Sequence, residues 1–212
     1  MNAEPIRVLL VDDHAIARNG VRLMLGTVPD IRVDGEAGNV QEAQQLVAIQ
    51  QFDVALLDIT MPGKSGLDLL KWLRTEQPKL AVLMLSTYSE DIYAIRALKL
   101  GAAGYLTKDA PTATLVAAVR KAAAGGKHVS AALTEKLASM LGGTVPSNHE
   151  ALSNRELEVL KLIAAGETLV HIGEQLHLSP NTVTTYRSRI LDKMGLSSNA
   201  ELTRYALEHG II

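Results

Sequence analysis

The chain has 212 residues, which at roughly 100–200 residues per domain corresponds to one or two domains. Its hydrophobic fraction of 47% and charged fraction of 21% are ordinary for a globular protein, and its net charge of −2 excludes a polycation. The absence of cysteine excludes disulfides and thiolate metal sites. No signal peptide is evident, and no uncharged apolar stretch approaches the ~18 residues that span a bilayer. We therefore expect a cytoplasmic protein with no membrane partner.

The N-terminal part of the chain alternates short apolar runs with longer amphipathic stretches. The runs, which we predict to be strands, are 6–11, 32–37, 54–58, 80–86 and 103–108. The amphipathic stretches are 15–26, 40–50, 66–76, 90–100 and 111–124. Strands separated by helices of about 10–15 residues are typical of βαβ units, and continuous apolar runs are typical of parallel strands covered on both faces. Residues 1–124 are therefore predicted to form a five-stranded doubly wound α/β domain with a parallel sheet.

A linker that contains a short helix is predicted over 125–149. Gly125 and Gly126 end the fifth helix, since glycine is the usual residue at a helix C-terminus. A short amphipathic piece covers 130–141, and the segment that follows it, 142–150, is rich in turn-forming residues and uncharged until its last position. The composition therefore predicts a change of domain in this region.

The remaining residues, 150–212, are predicted to form a second, all-α domain of four short helices. Ser153 is followed three residues later by Glu156, which is the pattern of a capping box at a helix start. Ser179 directly precedes Pro180, and a serine cap with proline in the first turn is typical of another helix start. The helix that begins at Pro180 follows the preceding helix after only a short turn.

Polar residues fall at the predicted carboxyl ends of the strands in the first domain. In an open parallel sheet, ligands bind outside these ends, at the point where the strand order reverses. The residues placed there are Asp12, Asp13, Asp58, Ser86 and Lys108. Three carboxylates repel one another, and a hard divalent cation such as Mg²⁺ relieves that repulsion. Because a carboxylate can act as a nucleophile while an ammonium and a hydroxyl hold phosphoryl oxygens, Asp58 is the predicted phosphoryl acceptor.

Four motifs in this region, VLLVDDH, LLDITMPGKSG, LMLST and GYLTKD, resemble the receiver domain of bacterial two-component response regulators. The resemblance covers residues 6 to 124. It implies that Asp58 is the phosphoacceptor and that Mg²⁺ is held by Asp12, Asp13, Asp58 and the backbone carbonyl of Thr60. It also implies contacts to the phosphoryl oxygens from Ser86 and Lys108, and a switch in which Tyr105 turns inward as Ser86 moves. A partner sensor histidine kinase would then donate the phosphoryl group.

Simpler interpretations exist for each of these residues. A lone aspartate at a strand end is usually a cap or turn residue, and Tyr105 alone is more often a core or rim residue. His14 is interpreted as a polar residue at a helix start and not as a metal ligand, so the predicted metal site is acidic. The joint occurrence of the acids with Ser86 and Lys108 favours the site. Motifs of zinc proteases, dinucleotide enzymes and P-loop NTPases are missing. A small aspartyl-phosphate phosphatase is the nearest enzymatic alternative. Such an enzyme would have two acids at alternating positions at the tip of the first strand, whereas Asp12 and Asp13 are adjacent.

Residues 169–194 predict a helix, a tight turn and a second helix, the geometry that places one helix in the major groove of DNA. On a helical wheel of 180–194, the packing face carries Val183, Ile190 and Met194. Hydroxyl groups can contact base edges and cations can contact phosphates. The candidate DNA-binding residues are therefore Thr182, Thr184, Thr185, Arg187, Ser188, Arg189 and Lys193.

The charge of the second domain counts against DNA binding. Residues 150–212 contain six Lys or Arg and eight Asp or Glu, so the segment is net acidic, whereas DNA-binding modules are usually basic. Three of the six cations nevertheless fall within 187–193, which makes the positive field local. A receiver-regulated module that binds protein instead of DNA is therefore the second alternative.

Two stretches of the second domain, LSNRELEVLKLIAAGET and LHLSPNTVTTYRSRILDKMGLSSNAEL, resemble the LuxR-type DNA-binding domain. Joined to a receiver, this resembles the NarL/FixJ class of regulators. The resemblance implies a transcription regulator, not a turnover enzyme, that binds promoter DNA as a homodimer when phosphorylated. A stripe of Ala200, Thr203 and Leu207 is a candidate dimer face or, alternatively, core. Thr184 stands where many members have Lys, and Gly173 stands where Ala is common.

Overall fold

The computed structural model describes residues 4–61, 63–87, 90–141 and 148–212, and the chain divides into two compact units, Met1–Leu141 and Gly142–Ile212. Most of the turn-rich part of the predicted linker, 142–147, lies outside the described residues. Within the described residues, no helix combines the length and the apolar character that crossing a membrane requires. Each unit is considered separately below.

The first unit is a parallel sheet with helices on both faces. Its strands are β1 (Ile6–Val11), β2 (Ile31–Ala37), β3 (Val54–Asp58), β4 (Ala81–Ser86) and β5 (Gly104–Thr107). Its helices are α1 (Ala15–Leu25), α2 (Val40–Ile49), α3 (Gly66–Glu76), α4 (Glu90–Lys99), α5 (Thr112–Ala123) and α6 (Ala131–Leu141). All pairings are parallel, in the order β2-β1-β3-β4-β5. The five-stranded doubly wound sheet is confirmed, and its strand order reverses between β1 and β3.

The continuous apolar runs form the central strands because both of their faces are covered. Leu10, Leu56 and Leu83 belong to one buried cluster that also contains residues of α1 and α5. Their chain neighbours Leu57 and Met84 are equally buried, and side chains alternate across a strand, so these two residues face the opposite layer. Complete burial of a leucine side chain contributes roughly 1.5–3 kcal/mol relative to exposure. The strand tips that carry the polar residues are therefore held by a rigid core.

Part of the segment predicted as a linker packs on the first unit. Helix α6 contacts α4, and the backbone N–H of His128 donates a 2.7 Å hydrogen bond to the carbonyl oxygen of Ala103. Gly104 and His128 also form an isolated parallel bridge beside β5. The first compact unit consequently extends to the end of α6. The domain boundaries at 124 and 150 stay predictions.

The second unit contains a 3-10 helix (Asn148–Ala151) followed by α7 (Asn154–Ala164), α8 (Leu169–Leu176), α9 (Pro180–Met194) and α10 (Asn199–Glu208). The predicted all-α architecture with four helices is confirmed. Both hydrogen bonds of the capping box between Ser153 and Glu156 are present at the start of α7. At the start of α9, the Ser179 side chain accepts a hydrogen bond from the backbone N–H of Thr182. Local sequence therefore sets where these helices begin.

Helices α8 and α9 are joined by a tight turn that depends on Gly173. The N–H of Leu178 donates a 2.8 Å hydrogen bond to the carbonyl oxygen of Gly173. A Cβ atom at position 173 would lie 2.7 Å from the carbonyl oxygen of Leu178, closer than real Cβ contacts come. The close approach of the turn to α8 therefore explains why glycine stands here in place of the alanine that is common at this position.

Candidate functional site

The tips of β1 and β3 lie side by side, because Val11 pairs with Leu57 in the parallel ladder. Asp12 directly follows Val11, and Asp58 is the last residue of β3. On the other side of β3, the tips of β4 and β5 are joined by a 2.8 Å hydrogen bond from the N–H of Lys108 to the carbonyl oxygen of Ser86. The register of the sheet therefore brings the predicted acids, hydroxyl and ammonium to one edge.

The Lys108 ammonium bridges the two buried carboxylates. Its Nζ lies 2.7 Å from Asp12 Oδ2 and 2.8 Å from Asp58 Oδ2, and the two aspartates are 1% and 3% exposed. Burial raises the pKa of Asp58 to about 6, although the hydrogen bond from Lys108 opposes this rise. Burial lowers the pKa of Lys108, but its bonds to Asp12 and Asp58 outweigh burial and raise that pKa overall. From the sequence we predicted contacts of Lys108 only with phosphoryl oxygens, so this bridge was missed.

Three carboxylates and one imidazole form a group with the composition of a metal site. One potential ligand atom from each of Asp12, Asp13, His14 and Asp58 lies within 4.8 Å of the others. Carboxylate oxygens are the ligands that hard divalent cations prefer, so the donor set fits such an ion. Next to this group, the hydroxyl of Thr60 is buried and has no hydrogen-bond partner within the described parts of the chain. The acidic pocket can therefore hold a metal ion.

The position of His14 agrees with the sequence prediction only in part. His14 is the N-cap residue of α1, as expected of a polar residue at a helix start, but its side chain makes no capping hydrogen bond. The ring instead lies against the acids, with Nδ1 2.9 Å from Asp13 Oδ1. Its place directly after Asp12 and Asp13 was the only signal in the sequence.

The two residues assigned to the switch are both buried at or near this edge. Ser86 is 0% exposed at the tip of β4, where it pairs with Thr107 of β5. Tyr105 is 1% exposed and pairs with Met84 in the same ladder, so its side chain is part of the interior. The structure thus brings Ser86 to the acidic edge and places Tyr105 two pairs below it. Their movement on phosphorylation stays a prediction.

The loop after Asp58 is held by a close backbone approach at Gly66, the first residue of α3. The N–H of Gly66 donates a 2.9 Å hydrogen bond to the carbonyl oxygen of Ile59. A Cβ atom at position 66 would lie 1.8 Å from the carbonyl oxygen of Asp58, a distance that no side chain can tolerate. Glycine is therefore required here for the loop to fold back on the strand tip.

Helix α9 has one buried face and one exposed face, as predicted. Val183, Ile190 and Met194 are 0%, 0% and 3% exposed, which confirms the packing face. The candidate DNA-binding residues of this helix are all at least partly exposed to solvent. Five are exposed, namely Thr184, Thr185, Ser188, Arg189 and Lys193, and two are half-buried, namely Thr182 and Arg187. A shallow cavity of about 280 Å³ on this side is lined by Asn181, Thr182, Thr185, Tyr186 and Arg189. The polar face is thus available to a ligand.

Two of the three cations of α9 have a side-chain partner within the second unit. Lys193 Nζ lies 2.7 Å from Oε2 of the buried Glu156 in α7, so its charge is compensated inside the unit. Burial raises the pKa of Glu156, but the hydrogen bonds from Lys193 and Ser153 outweigh burial and lower it overall. Arg187 Nε donates a 2.5 Å hydrogen bond to Asn199 Oδ1. The sequence did not reveal the pairing of Lys193, which joins residues 37 positions apart.

Comparison with known proteins gives the same two-part organisation. The family model described as the response regulator receiver domain matches residues 8–120, and the model described as bacterial regulatory proteins of the luxR family matches residues 150–206. Response regulator GacA of Pseudomonas aeruginosa is 36% identical over 98% of both chains. Response regulator UvrY of Escherichia coli K12 is 34% identical over 97% of this chain and 95% of its own.

A solved structure of RcsB from Salmonella enterica serovar Typhimurium is similar to this chain with a TM-score of 0.65 and 25% identity, covering 94% of this chain and 98% of that one. That protein is described as bound to promoter rprA in the presence of the phosphomimetic BeF3⁻. Together with the two family models, these similarities confirm the resemblance that the sequence motifs indicated. The chain therefore belongs to the two-component response regulators of the NarL/FixJ class, with a receiver domain followed by a LuxR-type DNA-binding domain.

Proposed function

We propose that a sensor histidine kinase phosphorylates Asp58 and that the phosphorylated chain binds promoter DNA as a homodimer in the cytoplasm. The observation that carries this proposal is the buried Asp58 at a strand tip, 2.8 Å from the Lys108 ammonium and beside a second buried carboxylate. A fixed cation next to a carboxylate that is held in the core suits the receipt of an anionic group.

In this proposal, a carboxylate oxygen of Asp58 attacks phosphorus while the bond to the donor breaks, and the leaving group of the donor keeps the electron pair. Asp12, Asp13 and the backbone carbonyl of Thr60, together with Asp58, would hold Mg²⁺, which when bound neutralises charge on the phosphoryl oxygens. The ammonium of Lys108 is already placed between Asp12 and Asp58, so it can bind a phosphoryl oxygen with a short movement.

The same edge provides the proposed switch. Ser86 lies at the tip of the strand next to Asp58, and its hydroxyl would bind a second phosphoryl oxygen. Tyr105, the residue expected to turn inward, is already buried, so its part in the switch would be a change of position within the interior as Ser86 moves. We further propose that the chain is a phosphoacceptor that assists its own phosphorylation and dephosphorylation and is not a turnover enzyme. Turnover of added phosphomonoesters would support the phosphatase alternative instead.

The polar face of α9 is the proposed DNA-contacting surface. Thr184, Thr185 and Ser188 are exposed and would contact base edges, with Thr182 at the start of the helix. Arg189 is exposed and lines the shallow cavity, which suits a phosphate contact. Arg187 would contribute a further phosphate contact, and Lys193 a weaker one, because Glu156 compensates its charge. The net acidic composition of residues 150–212 predicts weak and salt-dependent non-specific binding.

Arg189→Ala should weaken binding to all DNA sequences and reduce the salt slope of binding by about one unit, as for a single phosphate contact. Ser188→Ala, one residue away on the exposed face, should instead change which sequences are preferred. Arg204→Ala in α10 is the matched control, since this arginine is exposed but lies outside α9. Titrations of specific and random DNA at several salt concentrations measure both effects. A salt slope that Arg189→Ala leaves unchanged contradicts the assignment.

Helix α10 exposes two of the three residues of the stripe proposed as a dimer face, and the third, Thr203, is half-buried. Ala200 is exposed and Leu207 is 62% exposed, whereas Leu202 and Ala206 fill the core. The alternative that the stripe is core is therefore wrong for Ala200 and Leu207. A two-fold dimer would present its two copies of α9 about one DNA turn, ~34–36 Å, apart. The bound site should therefore be a pair of short half-sites.

Phosphorylated protein should shift promoter DNA, selected from genomic fragments, at a lower concentration than unphosphorylated protein does. Asp58→Asn should show no such gain, and Leu207→Asp should lose it, because a charge in an apolar dimer face opposes association. Ile49→Asp is the control for a charge at an exposed apolar residue away from this face, since Ile49 is 80% exposed in α2. Identical, sequence-independent titrations of phosphorylated wild type and Asp58→Asn would exclude this mechanism and favour the protein-interaction module.

A further inference from the structure

The acidic site of the receiver differs from an all-oxygen metal site in one respect, which is the imidazole of His14. One potential ligand atom of His14 lies within 4.8 Å of ligand atoms of Asp12, Asp13 and Asp58. The His14 side chain is 67% exposed and makes no capping hydrogen bond, although it begins α1. The fold therefore does not use this ring as a cap or as part of the core.

The distance between the His14 ring nitrogen and the Asp13 carboxylate is that expected of two ligands bound to one ion. His14 Nδ1 lies 2.9 Å from Asp13 Oδ1 and 3.6 Å from Asp12 Oδ1. Asp13 Oδ1 is buried and has no hydrogen-bond partner within the described parts of the chain, so the 2.9 Å contact lacks hydrogen-bond geometry. Neighbouring ligands of an octahedral ion, each about 2.1 Å from it, are separated by about 3 Å. The observed separation matches that value.

The ammonium of Lys108 lies on the Oδ2 side of the acids, and Asp12 Oδ1 accepts a 2.8 Å hydrogen bond from the backbone N–H of His14. Lys108 Nζ contacts the Oδ2 atoms of Asp12 and Asp58, whereas the His14 ring approaches the Oδ1 atoms of Asp12 and Asp13. The imidazole and the ammonium therefore lie next to different oxygens of the same cluster of carboxylates. An ion beside His14 would meet carboxylate oxygens that Lys108 does not occupy.

We propose that His14 is a ligand of the divalent ion at this site and gives the site a preference for Co²⁺ and Ni²⁺ over Mg²⁺. The inference rests on the proposed function, because it concerns the same metal site. Mg²⁺ is bound through oxygen and Mn²⁺ favours carboxylate and water, whereas imidazole suits the later first-row ions. The later ions would accordingly compete with Mg²⁺ at the phosphoacceptor, and His14 would set the strength of that competition.

Calorimetric titrations of the full-length, tag-free, unphosphorylated protein with Mg²⁺, Mn²⁺, Co²⁺ and Ni²⁺ test the preference. His14→Ala should raise the Kd for Co²⁺ and Ni²⁺ by at least about tenfold, since even the loss of an outer-shell partner typically weakens metal binding 10–100-fold. The Kd for Mg²⁺ and Mn²⁺ should change much less. His171→Ala is the matched control, because His171 is an exposed histidine that also lies near two carboxylates, those of Glu167 and Glu174. It should change none of the four constants.

Pulsed EPR of protein loaded with substoichiometric Cu²⁺ gives a direct readout. The spectra of wild type and His171→Ala should show coupling to an imidazole nitrogen, and those of His14→Ala should lose it. An equal change of Kd for all four ions, or an imidazole signal that persists in His14→Ala, would overturn the proposal. No phosphodonor is present in either measurement. Failure of Asp58 phosphorylation would therefore refute the proposed function without altering the outcome for His14.

Discussion

Asp58→Asn should abolish phosphoryl uptake. Wild-type protein incubated with acetyl phosphate and Mg²⁺ should gain the mass of one phosphoryl group, and the adduct should be labile to base, as an acyl phosphate is. Excess chelator should also stop the labelling, because the acids at this edge repel the incoming anion unless a cation compensates them. Intact-mass spectrometry measures the outcome. Labelling of Asp58→Asn at the wild-type rate would show that another residue is the acceptor, and full labelling in chelator would contradict the metal requirement.

The same variant should be more stable than wild type in the absence of metal, which separates loss of chemistry from loss of fold. Burial raises the pKa of Asp58 from its ordinary 3.8 to about 6. Between pH about 4 and about 6 the folded state therefore holds more protons than the unfolded state, and stability falls as pH rises through this window. A shift of this size corresponds to roughly 3 kcal/mol at most. Urea unfolding at pH 7.5 without metal should show Asp58→Asn more stable by roughly 1–3 kcal/mol, and at pH 4 the difference should largely vanish.

Gly66→Ala should destabilise the receiver by about 3 kcal/mol or more. The added Cβ would lie 1.8 Å from the backbone carbonyl oxygen of Asp58, so the strand tip or the start of α3 has to move. Overpacking typically costs about 1–3 kcal/mol, and here the obstacle is backbone, which cannot rotate away. Because the displaced atoms belong to Asp58 itself, protein that still folds should also be phosphorylated more slowly. Urea unfolding and the acetyl phosphate assay measure the two effects.

Gly20→Ala is the matched control for this substitution. Gly20 lies within α1, and a Cβ at this position would meet nothing within 4 Å apart from the neighbouring backbone of the helix itself. Alanine is the better helix former by roughly 0.5–1 kcal/mol, so the variant should be slightly more stable than wild type. Equal stability of Gly66→Ala and wild type would mean that the loop after β3 can be rearranged without penalty. That result would remove the role assigned to the close approach of Gly66 to Asp58.

The local pattern of the sequence was sufficient to predict the strands and helices and their order along the chain. In the first unit, β1, β3 and α3 begin and end where the apolar runs and amphipathic stretches predicted, and the other elements differ by about one residue at an end. The acids at the tips of β1 and β3 could be placed together because every parallel strand in such a sheet presents its carboxyl end to the same edge. This topology made Asp12, Asp58 and Lys108 neighbours before any distance was known.

Contacts between side chains far apart in the chain could not be obtained in this way. The salt bridge of Lys193 with Glu156 depends on how α9 crosses the start of α7, and helical periodicity within α9 carries no information about that crossing. The exposure of Leu207 likewise depends on which face of α10 the rest of the unit covers, since an apolar stripe has the same pattern in a core and on a surface.

The sequence by itself determined the fold class, the strand tips that carry the acids and the faces of α9, because periodicity and the chemistry of turns and caps are local properties. Only the tertiary structure decided that Lys108 bridges Asp12 and Asp58, that Gly66 must lack a side chain and that the His14 ring lies against Asp13. The first two features depend on distances of a few ångström between different elements, and the third depends on the orientation of the His14 side chain. Such distances are set by packing of the whole core and not by the spacing of residues along the chain.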